Sequence, residues 1–288
     1  MIPFSRAELI GVVSQRRPVQ TPILNNHFSN TRNLGSRTVQ LDIKMSPEGL
    51  AEAISPGAES NRASRAGWET LTLTIPRFSE HDLLKAADIQ DLRQPGTRNQ
   101  QIPLMQAVND TMDPIISRFD RTREYMAIKA MQGQIEDGAG NIIATYGVPG
   151  ATDVSFKSDG TGDNPIDVFD DEAVAIAQEL GSEPGGLIAY CGPAAYKALR
   201  NESKVMDLLN GPQGPQMLEG GEVRRIGGVT IRRLPSVFID NQGVEQTFVP
   251  QNEIIIASQE MGGTELFGPC ETPEGMQMAN RYVDTWEE

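Results

Sequence analysis

The stretch that decides the fold runs from Leu104 to Ile135, LMQAVNDTMDPIISRFDRTREYMAIKAMQGQI. Leu104, Val108, Met112, Ile115, Phe119, Met126 and Ala130 recur at spacings of three, four and seven, which is the apolar stripe of one long amphipathic helix. Arg118, Asp120, Arg121, Arg123 and Glu124 lie largely off that stripe and read as a solvated or partner-facing side. At about 1.5 Å per residue such a helix reaches about 45 Å, long for a compact domain. Asp113-Pro114 is a good N-cap and first-turn pair, so two readings stand: a helix that starts there after a separate turn, or one helix kinked at Pro114. Gly138 and Gly140 mark its end.

Ahead of the helix, the run Arg37 to Met45 alternates, with Val39, Leu41, Ile43 and Met45 on one face. Thr70 to Ile75 alternates again, with Leu71, Leu73 and Ile75 on one face. Ser46 to Trp68 between them is rich in Pro, Gly, Ala and Ser. This predicts a β-ribbon over residues 37–76 with a long loose tip. Two strands alone are marginal in water, so the ribbon's apolar face has to lie on another surface. Residues 1–36 read as an arm: Ser5 and Glu8 are spaced as a capping box for a short helix through Val13, and the rest has no period. Such a segment either stays mobile or is ordered by draping over something else. Phe78 to Leu92 reads as a short helix before the break at Gln94-Pro-Gly96.

Beyond the long helix, Asn141–Tyr146 and Val154–Phe156 read as short strands and Lys157 to Pro165 as a linker. A compact α+β unit follows over about 166–265. It opens with a helix from Asp167 to Leu180 and a buried strand from Gly186 to Cys191. A second helix runs from Pro193 through Leu209, and Gln213 to Glu222 is a glycine-rich surface loop. Strand signals come at 229–231, 236–239, 247–249 and 253–257, with Asn241-Gln-Gly243 as a turn. The tail from Gly268 to Glu288, carrying Tyr282 and Trp286, is long enough to return to the first body.

A chain of 288 residues makes one large or two ordinary domains with a real core. No run reaches the length of a membrane span, and the N-terminus has no signal-peptide pattern, so the chain is expected to be made and kept in a cytoplasm. The net charge of −14 argues against general nucleic-acid coating. That charge is unevenly placed: residues 1–40 hold arginines 6, 16, 17, 32 and 37 against Glu8, whereas acids dominate from 136 to 183. A basic arm and an acidic body on one chain can dock between copies of it.

Cys191 and Cys270 lie far apart without metal-ligand neighbours and read as buried structural thiols. His27 and His81 have no cysteine, serine or carboxylate at motif spacing and read as ordinary surface. No Gly-x-Ser-x-Gly, P-loop, CxxC or GxGxxG in strand–helix context appears. The acids Asp167, Asp170, Asp171 and Glu172 read as a helix N-terminus favoured by its dipole rather than a cation site. The sequence therefore leads us to expect no enzyme, no catalytic residue, no metal and no cofactor; the chain looks built to contact other chains.

This order of parts (arm, long-tipped ribbon, long helix, compact α+β unit, C-terminal return) resembles the major capsid proteins of tailed phages. In particular it resembles the lambda major head protein family, also called phage capsid protein E. Two stretches carry the local likeness. Ala194–Leu209, AAYKALRNESKVMDLL, looks like the family's helix after the first strand of the compact unit, and Thr247–Ser258, TFVPQNEIIIAS, like its late F-x-P-x-N strand approach. Gly262, Gly263 and Phe267-Gly268 follow as in the family.

The resemblance implies an α+β fold of the Hong Kong 97-like type. Residues 1–36 would be the arm and 37–76 the extended loop. Residues 77–165 and 266–288 would form the peripheral domain with its spine helix, and 166–265 the axial domain. It implies self-assembly of pentamers and hexamers into an icosahedral head, in the virion, around double-stranded DNA held without sequence-specific binding and without a membrane. A decoration protein, seated near Ala53–Ala66 and the arm, a scaffold and a portal are the further partners it suggests. The inter-subunit contacts expected are Arg16, Arg17, Arg32 and Arg37 of the arm and its boundary, and Val39, Leu41, Ile43, Trp68, Leu71, Leu73 and Ile75 of the ribbon. Arg118, Arg121 and Arg123 of the long helix complete the set. The competing readings are an encapsulin-like compartment shell of the same fold, and a ligand-binding or hydrolytic α+β domain with an oligomerisation arm.

Overall fold

The structure is a computed structural model, and it describes residues 19–45, 67–82, 104–146, 151–180, 182–212, 214–219, 222–240, 243–260 and 262–269. In chain order the elements are α1 (Pro22–His27), β1 (Asn30–Asn33), β2 (Thr38–Met45), β3 (Gly67–Thr74), α2 (Leu104–Met131), β4 (Gln134–Glu136) and β5 (Ile142–Thr145). They continue with α3 (Pro165–Leu180), β6 (Leu187–Cys191), α4 (Pro193–Asn201), α5 (Ser203–Asn210), α6 (Gly214–Met217), β7 (Leu218–Glu219), β8 (Glu222–Val223) and β9 (Arg225–Ile226). The last are β10 (Val229–Arg233), β11 (Val237–Ile239), β12 (Glu245–Thr247), β13 (Ile254–Ser258) and β14 (Thr264–Phe267). The Ser5–Val13 helix, the ribbon tip, most of the 78–92 helix, Cys270 and the tail with Tyr282 and Trp286 lie outside the described residues.

The unbroken apolar run of β6, LIAYC, is explained by its position. It lies between β10, parallel to it, and β13, antiparallel, in a four-stranded sheet of order β13-β6-β10-β9. Both of its faces are covered, so both parities are apolar. Leu187, Ala189 and Cys191 enter a core with Phe169, Tyr196, Leu199, Val205, Ile226 and Ile231. Ile188 and Tyr190 enter a second core with Ile23, Leu24, Ala127, Ile128, Phe248 and Val249. The first core belongs to the compact unit, with Phe156 of the preceding segment packed against it. The second joins that unit to the long helix and to α1.

The long helix is one element, and Pro114 lies inside it. Proline removes the bond to the carbonyl of Asp110, but Asp110 and Pro114 are both exposed, so water can take the freed carbonyl. The helix stops earlier than the glycines at 138 and 140 suggested. Gly133, at φ 86°, occupies a left-handed position that a side chain would strain, and its N–H closes on the carbonyl of Ala130. Gln134 and Ile135 are therefore strand residues, in a hairpin of β4 with β5. Gly140, at φ 80°, turns that hairpin, and the Asp137 carboxylate accepts the N–H groups of Ala139 and Asn141.

Four more expectations are corrected. The helix proposed from Pro193 through Leu209 is two helices. Glu202, 1% exposed, breaks the run in extended conformation, and its carboxylate accepts the N–H groups of Lys204 and Val205 and the Ser203 hydroxyl. Val154–Phe156 forms no strand. Ser155 is instead tied to Asp163, its N–H donating to the carboxylate at 2.7 Å and its carbonyl accepting the Asp163 N–H. The strand placed at 247–249 is Glu245–Thr247, and Phe248 and Val249 turn into the second core. The 213–222 loop carries α6, β7 and the start of β8.

Candidate inter-subunit surfaces

The ribbon forms in the register that its alternation demands. Val39 lies opposite Leu73, Leu41 opposite Leu71 and Ile43 opposite Glu69, and the Ile75 N–H donates to the Arg37 carbonyl. Directly opposed residues share a face. Val39, Leu41, Leu71, Leu73 and Ile75 therefore make one apolar strip, half-buried within the chain, whereas Thr38, Gln40, Thr70, Thr72 and Thr74 are exposed on the other face. Trp68 lies opposite Lys44 in the same ladder. The side chains of Ile43 and Trp68 lie outside the described residues, as do Arg16 and Arg17.

The remaining arginines divide into two kinds. Arg32 is exposed on β1, in register with Leu266 of β14, and Arg37 is exposed where the ribbon leaves the body. Arg118 is exposed and pairs with Glu80 at 2.8 Å, and Arg121 is exposed on the spine. Arg123 is used inside the chain. Its Nε and Nη2 donate to both oxygens of Glu265 at 2.6 and 2.7 Å, and the guanidinium lies 5.5 Å from the centre of the Phe267 ring. A two-pronged pair of this kind fixes geometry as well as charge, so the spine and β14 hold one another. That pairing holds the Arg123 proton more firmly than usual.

The described part of the arm, residues 19–36, is not a free segment: it drapes over its own chain. Thr21-Pro22 starts α1, with the proline in the first turn, but the Thr21 side chain does not cap it. The cap comes from the spine, 100 residues away. Glu124, 4% exposed, accepts the Ile23 N–H at 2.9 Å with one carboxylate oxygen and the Leu24 N–H at 3.1 Å with the other. Glu124 and Asp120, which sequence reasoning set on the solvated side, are both buried. The buried positions Ile116, Asp120, Glu124 and Ile128 follow one another at intervals of four, so the inward face of the helix is rotated from the stripe first read.

His27, read from sequence as surface, is 3% exposed. Its Nε2 lies 2.9 Å from the Tyr190 hydroxyl, and the two rings meet edge-on. Burial holds the imidazole below its ordinary range, with Arg232 nearby acting in the same direction. His81 is exposed. Cys191 is buried, and burial pushes its thiol up to about 12. Among the described residues no group of three or more His, Cys, Asp or Glu could hold a metal ion, and no helix is long and apolar enough to cross a membrane.

One apolar surface went unnoticed in the sequence. In the β11–β12 hairpin Phe238 turns inward between Tyr125 and Phe248, while Val237, Val244 and Ile239, the last 72% exposed, face out.

An α+β chain with a half-covered ribbon and a spine helix tied to a compact unit is the architecture of a phage capsid protein. The chain matches phage major capsid protein E over residues 5–288, and it belongs to that family. It is 25% identical over 144 residues, 49% of its length, to the major capsid protein of Salmonella phage Felix O1 (isolate Felix O1-VT1), and the match spans 39% of that relative. It is similar in fold to a crystal structure assigned as a prophage capsid protein of E. coli CFT073. That comparison has a TM-score of 0.56 at 14% identity and covers 95% of this chain and 86% of the other. The expectation of a capsid-type α+β fold and of this family is borne out.

Proposed function

We propose that this chain is a major capsid protein whose copies assemble, as hexamers and pentamers, into the icosahedral head shell around the double-stranded DNA of a tailed phage. Its place is then the virion, its principal partner is itself, and its role is structural. Family membership supports the reading. The observation that carries it is the ribbon: a two-stranded element with five apolar residues on one face, each only half-buried in the single chain. Such a ribbon gains stability when a neighbouring copy covers that face.

In this reading the spine helix and the hairpin β4–β5 form the peripheral domain, the sheet around β6 forms the axial domain, and residues 37–76 reach over the next subunit. Val39, Leu41, Ile43, Trp68, Leu71, Leu73 and Ile75 are the ribbon contacts. Arg16, Arg17, Arg32, Arg37, Arg118 and Arg121 supply charge to acidic neighbours, and Arg123 acts by holding the spine to β14. Weak contacts repeated around a closed shell sum to a stable one. A scaffold, a portal and a decoration protein are its further proposed partners. The net negative charge suits an inner wall that leaves packaged DNA ungripped.

The test is electron microscopy of the purified chain over a range of concentrations, with and without a crowding agent. Closed shells, tubes, or five- and six-fold rings are the expected result. A monodisperse monomer or dimer under every condition would overturn self-assembly by the chain alone.

A further inference from the structure

The helix α1 is fastened at both ends by buried ionisable groups, and they respond to protons in opposite senses. At its first turn the fastening is the Glu124 carboxylate on the Ile23 and Leu24 N–H groups. At its last turn it is His27 against the Tyr190 hydroxyl, with the Asn26 amide donating to the same oxygen at 3.1 Å. The His27 carbonyl also accepts the Gly263 N–H at 2.7 Å. Between these ends Ile23 and Leu24 fill the second core. The whole helix is six residues long and both fastenings lie within it, so loss of either end exposes most of what α1 buries.

We propose that α1 is a proton-controlled latch for the N-terminal arm, which protonation of His27 opens and the buried Glu124 carboxyl opposes opening. The groups facing His27 are Tyr190 on β6, Arg232 on β10 and the backbone of Ser258 on β13, with Asn26 beside it on α1. Among the described residues no carboxylate hydrogen-bonds the ring. A second proton would place a cation in a buried site near Arg232; the Ser258 backbone favours that charge, but burial outweighs it, a cost that the undocked arm does not bear. Docking is therefore complete when His27 is neutral and weakens as pH falls below about 6.5.

Glu124 faces the α1 backbone. Arg123 and Asp120 lie beside it on α2, but Arg123 is committed to Glu265 of β14. Tyr190 on β6 feels its charge. Burial outweighs the two N–H bonds and moves its titration up, so the docked arm favours the neutral acid and acidification strengthens this end. The two ends thus pull the pH dependence in opposite directions, which a merely structural pair of contacts would not do.

The experiment is amide hydrogen exchange of the full-length chain, dispersed at low concentration, between about pH 7.5 and about pH 5, corrected for the intrinsic exchange rate. It reads the latch in unassembled subunits, so its failure is separate from any failure of shell assembly. In the unsubstituted chain, protection over residues 22–28 should fall by up to about tenfold per pH unit below about 6.5. In His27→Gln that fall should vanish, and any change that remains should be a rise on acidification. In Glu124→Gln the fall should persist and be at least as large. His27→Asn serves if His27→Gln no longer melts cooperatively at about pH 7.5. Protection over residues 22–28 that does not change with pH, or that changes alike in all three proteins, would overturn the latch.

Discussion

The ribbon offers the sharpest test of how this chain meets its neighbours, because its register places apolar and polar cross-strand pairs side by side. Leu41 faces Leu71 on the half-buried face, and Gln40 faces Thr72 on the exposed one. Burying a leucine fully contributes about 2 kcal/mol, and most of each is already covered within the subunit, so each leucine has about 0.5 kcal/mol left to gain from a neighbour. Leu41→Asp with Leu71→Asp forfeits about 1 kcal/mol per subunit contact, and two carboxylates brought against a neighbour raise the loss to as much as about 3 kcal/mol. At about 1.4 kcal/mol per factor of ten, the critical concentration for shell formation should rise roughly 5- to 150-fold. Gln40→Asp with Thr72→Asp is the matched control. It carries the same facing charges across the same two strands, on the opposite face, and should move the critical concentration by less than about threefold. Sedimentation of a dilution series measures the shell fraction, and circular-dichroism melting shows that both variants remain folded. Equal effects on the two faces, or assembly of the leucine variant at the concentration of the unsubstituted chain, would refute the assignment of that face to a neighbour.

Two further outcomes follow from single residues. Glu202→Ala removes the buried cap of α5 and leaves two N–H groups without their acceptor; stability should fall by about 1–3 kcal/mol, read as a lower urea midpoint at unchanged slope. Cys191 is sealed in the first core, and burial pushes its thiol up to about 12. In a Cys270→Ser background, where it is the sole thiol, it should react with a disulfide reagent only as fast as the chain unfolds.

Where a pattern is local, the sequence was sufficient. The alternation of Val39–Leu41 and Leu71–Leu73 is a property of each strand alone, and the structure pairs the strands as that alternation requires. The run at β6 was legible for the same reason: five consecutive apolar residues need cover on both faces wherever they go. The failures share another cause. Asp120 and Glu124 are charged residues within an amphipathic pattern, and the rule that sends charge to solvent holds only when no buried donor awaits it. For Glu124 the donors are main-chain N–H groups 100 and 101 residues away, which no helical periodicity can show. His27 had no motif partner because its partner, Tyr190, is 163 residues on. One signal was present and passed over. Thr21-Pro22 is the same cap-and-first-turn pair as Asp113-Pro114, and here it does begin a helix, although the Thr21 side chain leaves the capping to Glu124. At Pro114 the pair is inside one, because tertiary contacts on the inward side of the spine carry it past the missing bond.

The contacts that close on themselves also indicate which surfaces are left for other copies. One face of β6 and the spine's Glu124 hold α1. The chain runs from α1 into β1, β1 pairs with β14 in parallel, and β14 returns through Glu265 to Arg123 on the spine. Every member of that circuit has a partner inside the subunit, and Ile23, Leu24, Ile116, Ala127 and Ile128 at α1 and the spine are buried. The ribbon does not belong to it: its apolar strip is only half covered. Nor does the outer face of β11–β12, where Ile239 stands in solvent above an inward Phe238 that the second core already holds. A subunit that is internally fastened through this circuit and carries incompletely covered apolar residues on the ribbon and on β11–β12 can enter an assembly without refolding. In the proposed assembly the energy of association comes from covering the ribbon and the outer face of β11–β12, and the circuit through Arg123 and Glu124 sets the directions in which they are presented.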